Sequence, residues 1–196
     1  MMCELELPIT RYHLVPRGNL VHEKLSLHRL TYGLAYCFFH KEGRVQQLIH
    51  HLKYNHKQGI GKWIADRYAA FMIQELEEKF DIVSMVPLHP KKLKKRGYNQ
   101  VKLFAKTMAD HLEVTFLPDI LKRTQHTDTQ TRKNRKERAA NMEGVFQVGT
   151  MTTLLDKHIL LVDDVLTTGA TLSACLTALE SAGCTKISVL VMALAR

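Results

Sequence analysis

The residues best placed to do chemistry form one segment, residues 159–172, which reads ILLVDDVLTTGATL. An apolar run is followed by two acids, Asp163 and Asp164, and then by a turn rich in threonine and glycine. The run is typical of a strand buried on both faces of a parallel sheet, and the turn predicts the start of a helix. Unpaired backbone N–H groups and the dipole at a helix start favour a bound phosphate.

The side chains of this segment suit a phosphorylated sugar. The hydroxyls of Thr167, Thr168 and Thr171 add hydrogen-bond donors, and Gly169 lets the backbone approach a phosphate closely. The two carboxylates can accept hydrogen bonds from neighbouring sugar hydroxyls and can favour positive charge on a ribose ring. Aspartate after a strand and threonine at a helix start are also common in solvated loops. The fixed register of all these residue types nevertheless favours a ribose 5-phosphate site.

The positive charge of the chain is concentrated in one quarter of its length. The sequence has 28 Lys and Arg against 19 Asp and Glu, a net charge of +9. Residues 91–138 alone hold 14 basic and 5 acidic side chains, so the rest of the chain is balanced. This concentration predicts an anionic partner, either a nucleic acid or a polyphosphate ligand, unless the segment is simply a solvated surface.

The order of the predicted elements indicates how the acidic segment is positioned. From residue 81 onward the sequence predicts strands at 82–86, 114–117, 144–148, 158–162 and 187–195, and helices at 99–112 and 171–182. Before residue 81 it predicts a strand at 32–39 and helices at 44–54 and 59–80. This alternation predicts an α/β fold with a doubly wound, mainly parallel sheet, which binds ligands at the carboxyl ends of its strands.

The segment 159–172 resembles the motif with which type I phosphoribosyltransferases bind 5-phosphoribosyl 1-pyrophosphate (PRPP). Other pieces resemble the ComF family, the competence protein F-like phosphoribosyltransferases. These pieces are residues 47–54, VPLHP at 86–90, the lysines of 91–95, RGYNQ at 96–100, and the run from Arg123 through Gln130, Arg138 and Asn141 to Gly144 and Phe146. The resemblance covers residues 30–196 and implies a type I phosphoribosyltransferase fold with a small N-terminal hood.

The resemblance implies a role for each part of the motif. Asp163 and Asp164 would hold the ribose 2- and 3-hydroxyls of PRPP, and residues 165–171 would wrap its 5-phosphate. The residues implied in binding PRPP are Asp163, Asp164, Val165, Leu166, Thr167, Thr168, Gly169, Ala170, Thr171, Leu88, His89, Lys91, Lys92 and Arg138. Those implied in catalysis are Asp163, Asp164, Lys91 and Arg96. The cofactor would be Mg2+, held through the oxygens of PRPP and pyrophosphate with no metal ligand from the protein.

The resemblance also implies a role for the two basic segments within residues 91–138. The loop after the strand at 82–86 corresponds to the pyrophosphate loop of type I enzymes, and it carries Lys91, Lys92, Lys94, Lys95 and Arg96. Residues 122–138 correspond to a flexible loop that closes over the active site and brings further cations. Cations in these positions would stabilise pyrophosphate as a leaving group.

Two parts of the chain are expected from the resemblance. Residues 1–80 would form the hood with its helices, which would select the acceptor, and residues 81–196 would form the phosphoribosyltransferase core with its flexible basic loop at 122–138. ComF-like proteins usually begin with a four-cysteine zinc module, whereas only Cys3 lies near the start of this sequence. We therefore expect no zinc site.

Three functions are compatible with these features. The first is an enzyme that transfers ribose 5-phosphate from PRPP to a nitrogen nucleophile, by implication a nucleobase, and releases pyrophosphate. The second is a factor in DNA uptake and competence that binds single-stranded DNA, although residues 91–138 hold few aromatic side chains for base stacking. The third is a PRPP sensor without catalysis.

The expected setting of the protein follows from what the sequence does not contain. No apolar run is long enough to span a membrane and no secretory signal is visible, so we expect a cytoplasmic protein without a membrane partner. Dimers are common among folds of this kind, so a homodimer is a further expectation.

Overall fold

The fold is built on one parallel sheet. The computed structural model describes residues 7–123, 144–149 and 154–196. The strands are β1 (Leu30–Phe39), β2 (Ile82–Met85), β3 (Thr115–Phe116), β4 (Leu121–Arg123), β5 (Phe146–Val148), β6 (His158–Leu166) and β7 (Lys186–Ala195). The helices are α1 (Leu20–Lys24), α2 (Arg44–Tyr54), α3 (Gly59–Glu75), α4 (Pro90–Arg96), α5 (Lys102–Leu112) and α6 (Ala170–Ser181). The main sheet has the strand order β1-β7-β6-β2-β3, with every neighbouring pair parallel.

The inner strands are buried on both faces, as their continuous apolar sequences predict. Alternate side chains of β6 face opposite sides of the sheet. Leu160 and Val162 pack in the same cluster as α2, α3 and α5, whereas Ile159 and Leu161 pack in the same cluster as α6. Helices therefore cover both faces, and the carboxyl edge of the sheet is where a ligand is expected in such a fold.

The predicted α/β class with a mainly parallel sheet is confirmed. The sheet, however, does not begin at residue 81. β1 lies within the segment assigned to the hood, and it pairs with β7 from Leu30 opposite Ile187 to Phe39 opposite Ala195. Because the apolar and aromatic side chains of β1 are mostly buried, the N-terminal segment supplies an edge strand of the central sheet.

The helix α4 was missed in the sequence interpretation, because its seven residues include a single large apolar side chain, Leu93. Local signals form it instead. Pro90 occupies its first turn, the side chain of His89 accepts a hydrogen bond from the Lys91 amide at 3.1 Å, and Gly97 ends it with a φ of 80°. The basic segment after β2 is therefore a short helix rather than a loop.

Other boundaries differ from the predicted ones by a few residues. The helix predicted at 59–80 ends at Glu75, because Leu76 takes an extended backbone, and the helix predicted at 99–112 begins at Lys102 after a turn. Among the residues that the structure describes, no helix has both the length and the apolarity needed to cross a lipid bilayer.

The basic segment 122–138 begins inside a small antiparallel ladder. β4 pairs with β5, with Arg123 opposite Phe146, and the Arg123 guanidinium lies 5.3 Å from the centre of the Phe146 ring. Residues 124–143 lie outside the described residues, and Arg138 is among them. The predicted flexible loop therefore stays a prediction.

Candidate functional site

The two acids lie inside β6, beyond the end of its neighbour β2. β6 pairs with β2 only as far as Val162, opposite Met85, whereas it pairs with β7 as far as Leu166, opposite Leu194. Asp163 and Asp164 were predicted to follow the strand, so this detail was wrong: the ladder with β7 extends the strand through both acids. The pair lies at the carboxyl edge of the sheet, where β2 no longer covers β6.

The turn after β6 leads directly into α6. Thr167 and Thr168 are exposed, and α6 begins at Ala170 with Gly169 as its N-cap. Within the described ranges, the backbone amides of residues 167–172 donate no hydrogen bond, and no side chain caps the helix. These amides can therefore bind an anion, which is the chemistry that the sequence predicted for the turn.

Gly169 is required by the packing beneath the turn. Its φ is +85°, and a Cβ atom at this position would lie 2.9 Å from the carbonyl oxygen of Lys24 and 3.1 Å from Leu25 Cδ2. The predicted reason for this glycine was close approach of a ligand. The structure shows a second reason, because α1 and the residue after it lie directly against the turn and leave no room for a side chain.

The carboxylate of Asp164 is buried in a polar cluster that joins three segments of the chain. Its side chain is 8% exposed, and the Lys53 Nζ atom lies 3.0 Å from its Oδ2 atom. The Gln100 Nε2 atom donates a hydrogen bond to the same Oδ2 atom at 2.6 Å. The Lys53 ammonium and the Gln100 amide both lie close to Oδ2, and among the described residues no hydrogen bond to the Oδ1 atom is formed.

Among the described residues, Arg96 is connected to the acid pair only through Gln100. Its guanidinium donates to the Oε1 atom of Gln100 and lies 5.4 Å from the centre of the Tyr54 ring. The sequence predicted a catalytic role for Arg96. In the structure it reaches Asp164 through Gln100, which fixes the amide so that its NH2 group faces the carboxylate.

Asp163 differs from its neighbour in its surroundings. Its Oδ1 atom accepts a hydrogen bond from the Asp164 amide at 2.8 Å. Burial, together with the charge of Asp164, raises the pKa of Asp163 to about 8, and Lys53 opposes this rise only in part. In the absence of a ligand, the acid pair therefore binds a proton more readily than ordinary carboxylates do.

The other predicted residues lie on or beside α4. Leu88 and His89 are half-buried and precede the helix, whereas Lys91 and Lys92 are exposed on it. Among described residues, the four lysines of α4 form no ion pair and none of them contacts the acid pair. The structure thus connects Arg96, at the end of α4, to the acid pair. Lys91 and Lys92, at the start of the same helix, do not contact it.

The described residues offer no metal site built from protein side chains alone. They contain no group of three or more His, Cys, Asp and Glu side chains that could hold an ion. The two carboxylates and the exposed threonines form a polar, oxygen-rich edge, which fits an Mg2+ ion that arrives with a polyphosphate and keeps its own waters.

Two residues of the cluster, Lys53 and Gln100, were not named as site residues from the sequence. The available signal was that residues 47–54 and 96–100 both belong to the ComF-like pieces although they are far apart in sequence. Their common feature is the contact of both pieces with Asp164.

The chain is similar to known proteins over parts of its length. Residues 102–196 match the phosphoribosyl transferase domain family. The chain is 34% identical over 105 residues to competence protein F of Haemophilus influenzae, covering 53% of this chain and 46% of that protein. It is 25% identical over 174 residues to the DNA utilization protein YhgH of Escherichia coli, covering 85% of this chain and 72% of that protein.

Among solved structures, the chain is similar to a purine phosphoribosyltransferase from Pyrococcus horikoshii, with a TM-score of 0.45 and 20% identity over 67% of this chain and 74% of that one. The chain spans about half the length of the first curated relatives that it matches. The matched domain contains β6, the turn and α6, whereas Lys53 and Gln100 lie before it.

Proposed function

We propose that this chain, a ComF-like protein with a phosphoribosyl transferase domain, binds PRPP with Mg2+ and transfers its ribose 5-phosphate to a nitrogen nucleophile, releasing pyrophosphate. One observation carries the proposal. The acid pair of β6 and the unbonded amides of residues 167–172 belong to one strand–turn–helix unit at the carboxyl edge of the sheet. A sugar hydroxyl pair and a 5-phosphate are separated by only a few bonds, so one ligand can engage both.

The proposed chemistry divides between the two ends of this unit. The amides and threonine hydroxyls of the turn would bind the 5-phosphate, and Asp163 and Asp164 would accept hydrogen bonds from the ribose hydroxyls. Carboxylates beside the ribose favour the positive charge that develops on the ring as pyrophosphate leaves. Mg2+ would neutralise charge on the pyrophosphate oxygens, and Lys91 and Lys92 would supply further cations.

The acceptor of the ribose 5-phosphate would be a nucleobase. A nucleobase fits the relationship to phosphoribosyltransferases, and the segment before β2 is where the acceptor would be selected. No side chain in the described residues stands out as a general base. The protein would act mainly by positioning the reactants and by providing charge where it develops.

The test measures PRPP binding and pyrophosphate release with Mg2+ and a panel of purine and pyrimidine bases. We expect binding by the unchanged protein and a loss of at least about tenfold in affinity for the double variant Asp163→Asn and Asp164→Asn, because the charges that strengthen both proposed sugar hydrogen bonds are removed. The matched control is Asp110→Asn, an exposed carboxylate on α5 that pairs with Lys106. A double variant that retains full affinity for PRPP would contradict the proposed site.

The same assay separates an enzyme from a sensor. Release of pyrophosphate with at least one base supports the transferase. Binding of PRPP with no release for any base contradicts catalysis and leaves a PRPP-binding regulator as the function of the site.

The surface formed by the lysines of α4 favours a second function, the binding of single-stranded DNA. The lysines of α4 are exposed and unpaired among the described residues, and one relative is named for DNA utilization. Single-stranded DNA would also require aromatic side chains for base stacking. Phe104 is fully buried in the core, and the Tyr98 hydroxyl donates to the Leu52 carbonyl oxygen at 2.5 Å. These aromatic side chains serve the fold, so binding of DNA ranks below binding of PRPP.

A further inference from the structure

Three consecutive residues at the end of α2 contact the acid pair and the RGYNQ segment. The carbonyl oxygen of Leu52 accepts the hydrogen bond from Tyr98, Lys53 lies against Asp164, and the ring of Tyr54 lies beneath Arg96. One helix end therefore contacts both the RGYNQ segment and the acid pair, although α2 is far from each of them in sequence.

The contact at Lys53 is more than a surface ion pair. The Lys53 side chain is 24% exposed and its Asp164 partner is 8% exposed, so the pair is largely removed from water. Exposed lysine–carboxylate pairs order their partners weakly, whereas a desolvated pair with a second hydrogen bond holds its carboxylate in one orientation. Lys53 and Gln100 together lie against the Oδ2 atom of Asp164, and since no described residue donates a hydrogen bond to its Oδ1 atom, that atom can accept one from a ligand.

We propose that Lys53 is a positioning residue for the sugar-phosphate ligand: from the end of α2, it orients Asp164 so that the free oxygen of this carboxylate accepts a ribose hydroxyl. The inference rests on the proposed function, because the ligand is PRPP. It goes beyond that function by making α2, a helix outside the matched phosphoribosyl transferase domain, part of the PRPP site. Lys53 also balances the negative charge that PRPP brings beside two carboxylates.

The test compares Lys53→Met with Lys53→Arg by calorimetric titration with PRPP and Mg2+. We expect Lys53→Met to weaken PRPP binding by at least about tenfold. Lys53→Arg should bind PRPP with an affinity within about threefold of the unchanged protein, because the cation is kept. The matched control is Lys62→Met, an exposed lysine of α3 whose only described ion pair is with Asp66 at 2.7 Å, and it should bind PRPP like the unchanged protein.

The pH profile separates positioning from a merely structural role. Among the described residues, the charged or titratable groups that face the acid pair are Lys53 from α2 and Cys175 from α6, with Arg96 of α4 behind Gln100. Removing the cation favours the protonated form of the acid pair, so the pH midpoint of PRPP binding should move upward in Lys53→Met and return in Lys53→Arg. A general loss of folding would lower the amount of active protein without moving this midpoint.

The outcomes separate the two proposals. Equal affinity and an equal pH midpoint in Lys53→Met and in the unchanged protein would overturn the role of Lys53 and leave PRPP binding intact. Failure of the unchanged protein to bind PRPP would overturn both. If Lys53→Met does not fold, Lys53→Gln keeps a hydrogen-bond donor without the charge, and its pH midpoint should move in the same direction as that expected for Lys53→Met.

Discussion

Asp163 connects the chemistry of the site to the stability of the fold. Its pKa is raised from 3.8 to about 8 because the half-buried side chain is desolvated and lies beside the charge of Asp164. Between these two values the folded chain binds more protons at this carboxyl than the unfolded chain does, so the free energy of unfolding falls as the pH rises through this window. A ligand that binds the ionised pair would therefore bind more tightly toward alkaline pH.

We expect Asp163→Asn to remove the loss of stability that ionisation of Asp163 causes as the pH rises. The variant should be more stable than the unchanged protein at pH 8, by about 1–3 kcal/mol, and the gain should shrink as the pH falls toward 4. Thermal or urea unfolding between pH 4 and 8 measures the difference. A gain that is constant over this range would show that the carboxyl is not held in a protonated form by the fold.

Little of this residue-scale arrangement could be predicted from the sequence. The acid pair and the threonine turn were identified because their types and register are local and specific. The contacts of Lys53 and Gln100 with Asp164 depend on how α2 and the RGYNQ segment pack across the sheet, which no local pattern records.

At the scale of elements, the strand–turn–helix unit depends on α1 beneath it. We expect Gly169→Ala to destabilise the fold by about 2–4 kcal/mol, because the new methyl group would meet the Lys24 carbonyl oxygen and the backbone is left-handed. The same change should weaken PRPP binding, because the turn must shift to relieve the contact.

Gly183→Ala is the matched control for that change. Gly183 has the same φ of +85°, and nothing lies within 4 Å of its missing Cβ atom. It should therefore cost only about 1 kcal/mol, the cost of the left-handed backbone alone, and leave PRPP affinity unchanged. Equal unfolding free energies for the two variants, measured in urea, would show that the contact with α1 does not matter.

The elements themselves followed from the sequence where apolar periodicity was strong. The buried runs of β6 and β7 and the amphipathic helices α2 and α5 were identified by type. The bounds of α2 are those predicted, whereas those of β6, β7 and α5 differ by one to four residues. α4 was missed because capping residues rather than apolar spacing form it. α1 was missed because its five residues are too few to show a period.

At the scale of the whole molecule, the charge of +9 arises from residues 91–138, and the described part of that segment includes the exposed lysines of α4. We expect the double variant Lys91→Gln and Lys92→Gln to bind PRPP about tenfold more weakly at low salt, because two unpaired cations are lost. The difference should narrow when the salt is raised from about 50 to about 200 mM, since screening weakens the contribution of exposed charges.

The same titration examines the second function. The control is the variant Lys62→Gln and Lys106→Gln, two exposed lysines that form ion pairs four residues apart on α3 and α5. Labelled single-stranded DNA is measured beside PRPP. Loss of DNA binding in the α4 variant with PRPP affinity unchanged would assign the lysines of α4 to nucleic acid and contradict their proposed role with pyrophosphate.

The fold class is the prediction that the whole molecule confirms, and the resemblance to competence protein F is found in the comparisons over about half of the chain. The division at residue 80 stays a prediction, and the structure adds that β1, which precedes it, belongs to the central sheet. The strand at 32–39 was identified, but its pairing with β7, across about 150 residues of chain, is a long-range contact that no local pattern specifies.

The pairing of β1 with β7 has a practical consequence for protein production. A fragment cut to the family match at 102–196 would lack both β1 and β2. The apolar strands β6 and β7 would then each have one edge whose backbone hydrogen-bonding groups are unpaired. Unpaired strand edges of this kind pair with the edges of other chains. We therefore expect the truncated product to aggregate in inclusion bodies instead of forming a folded domain.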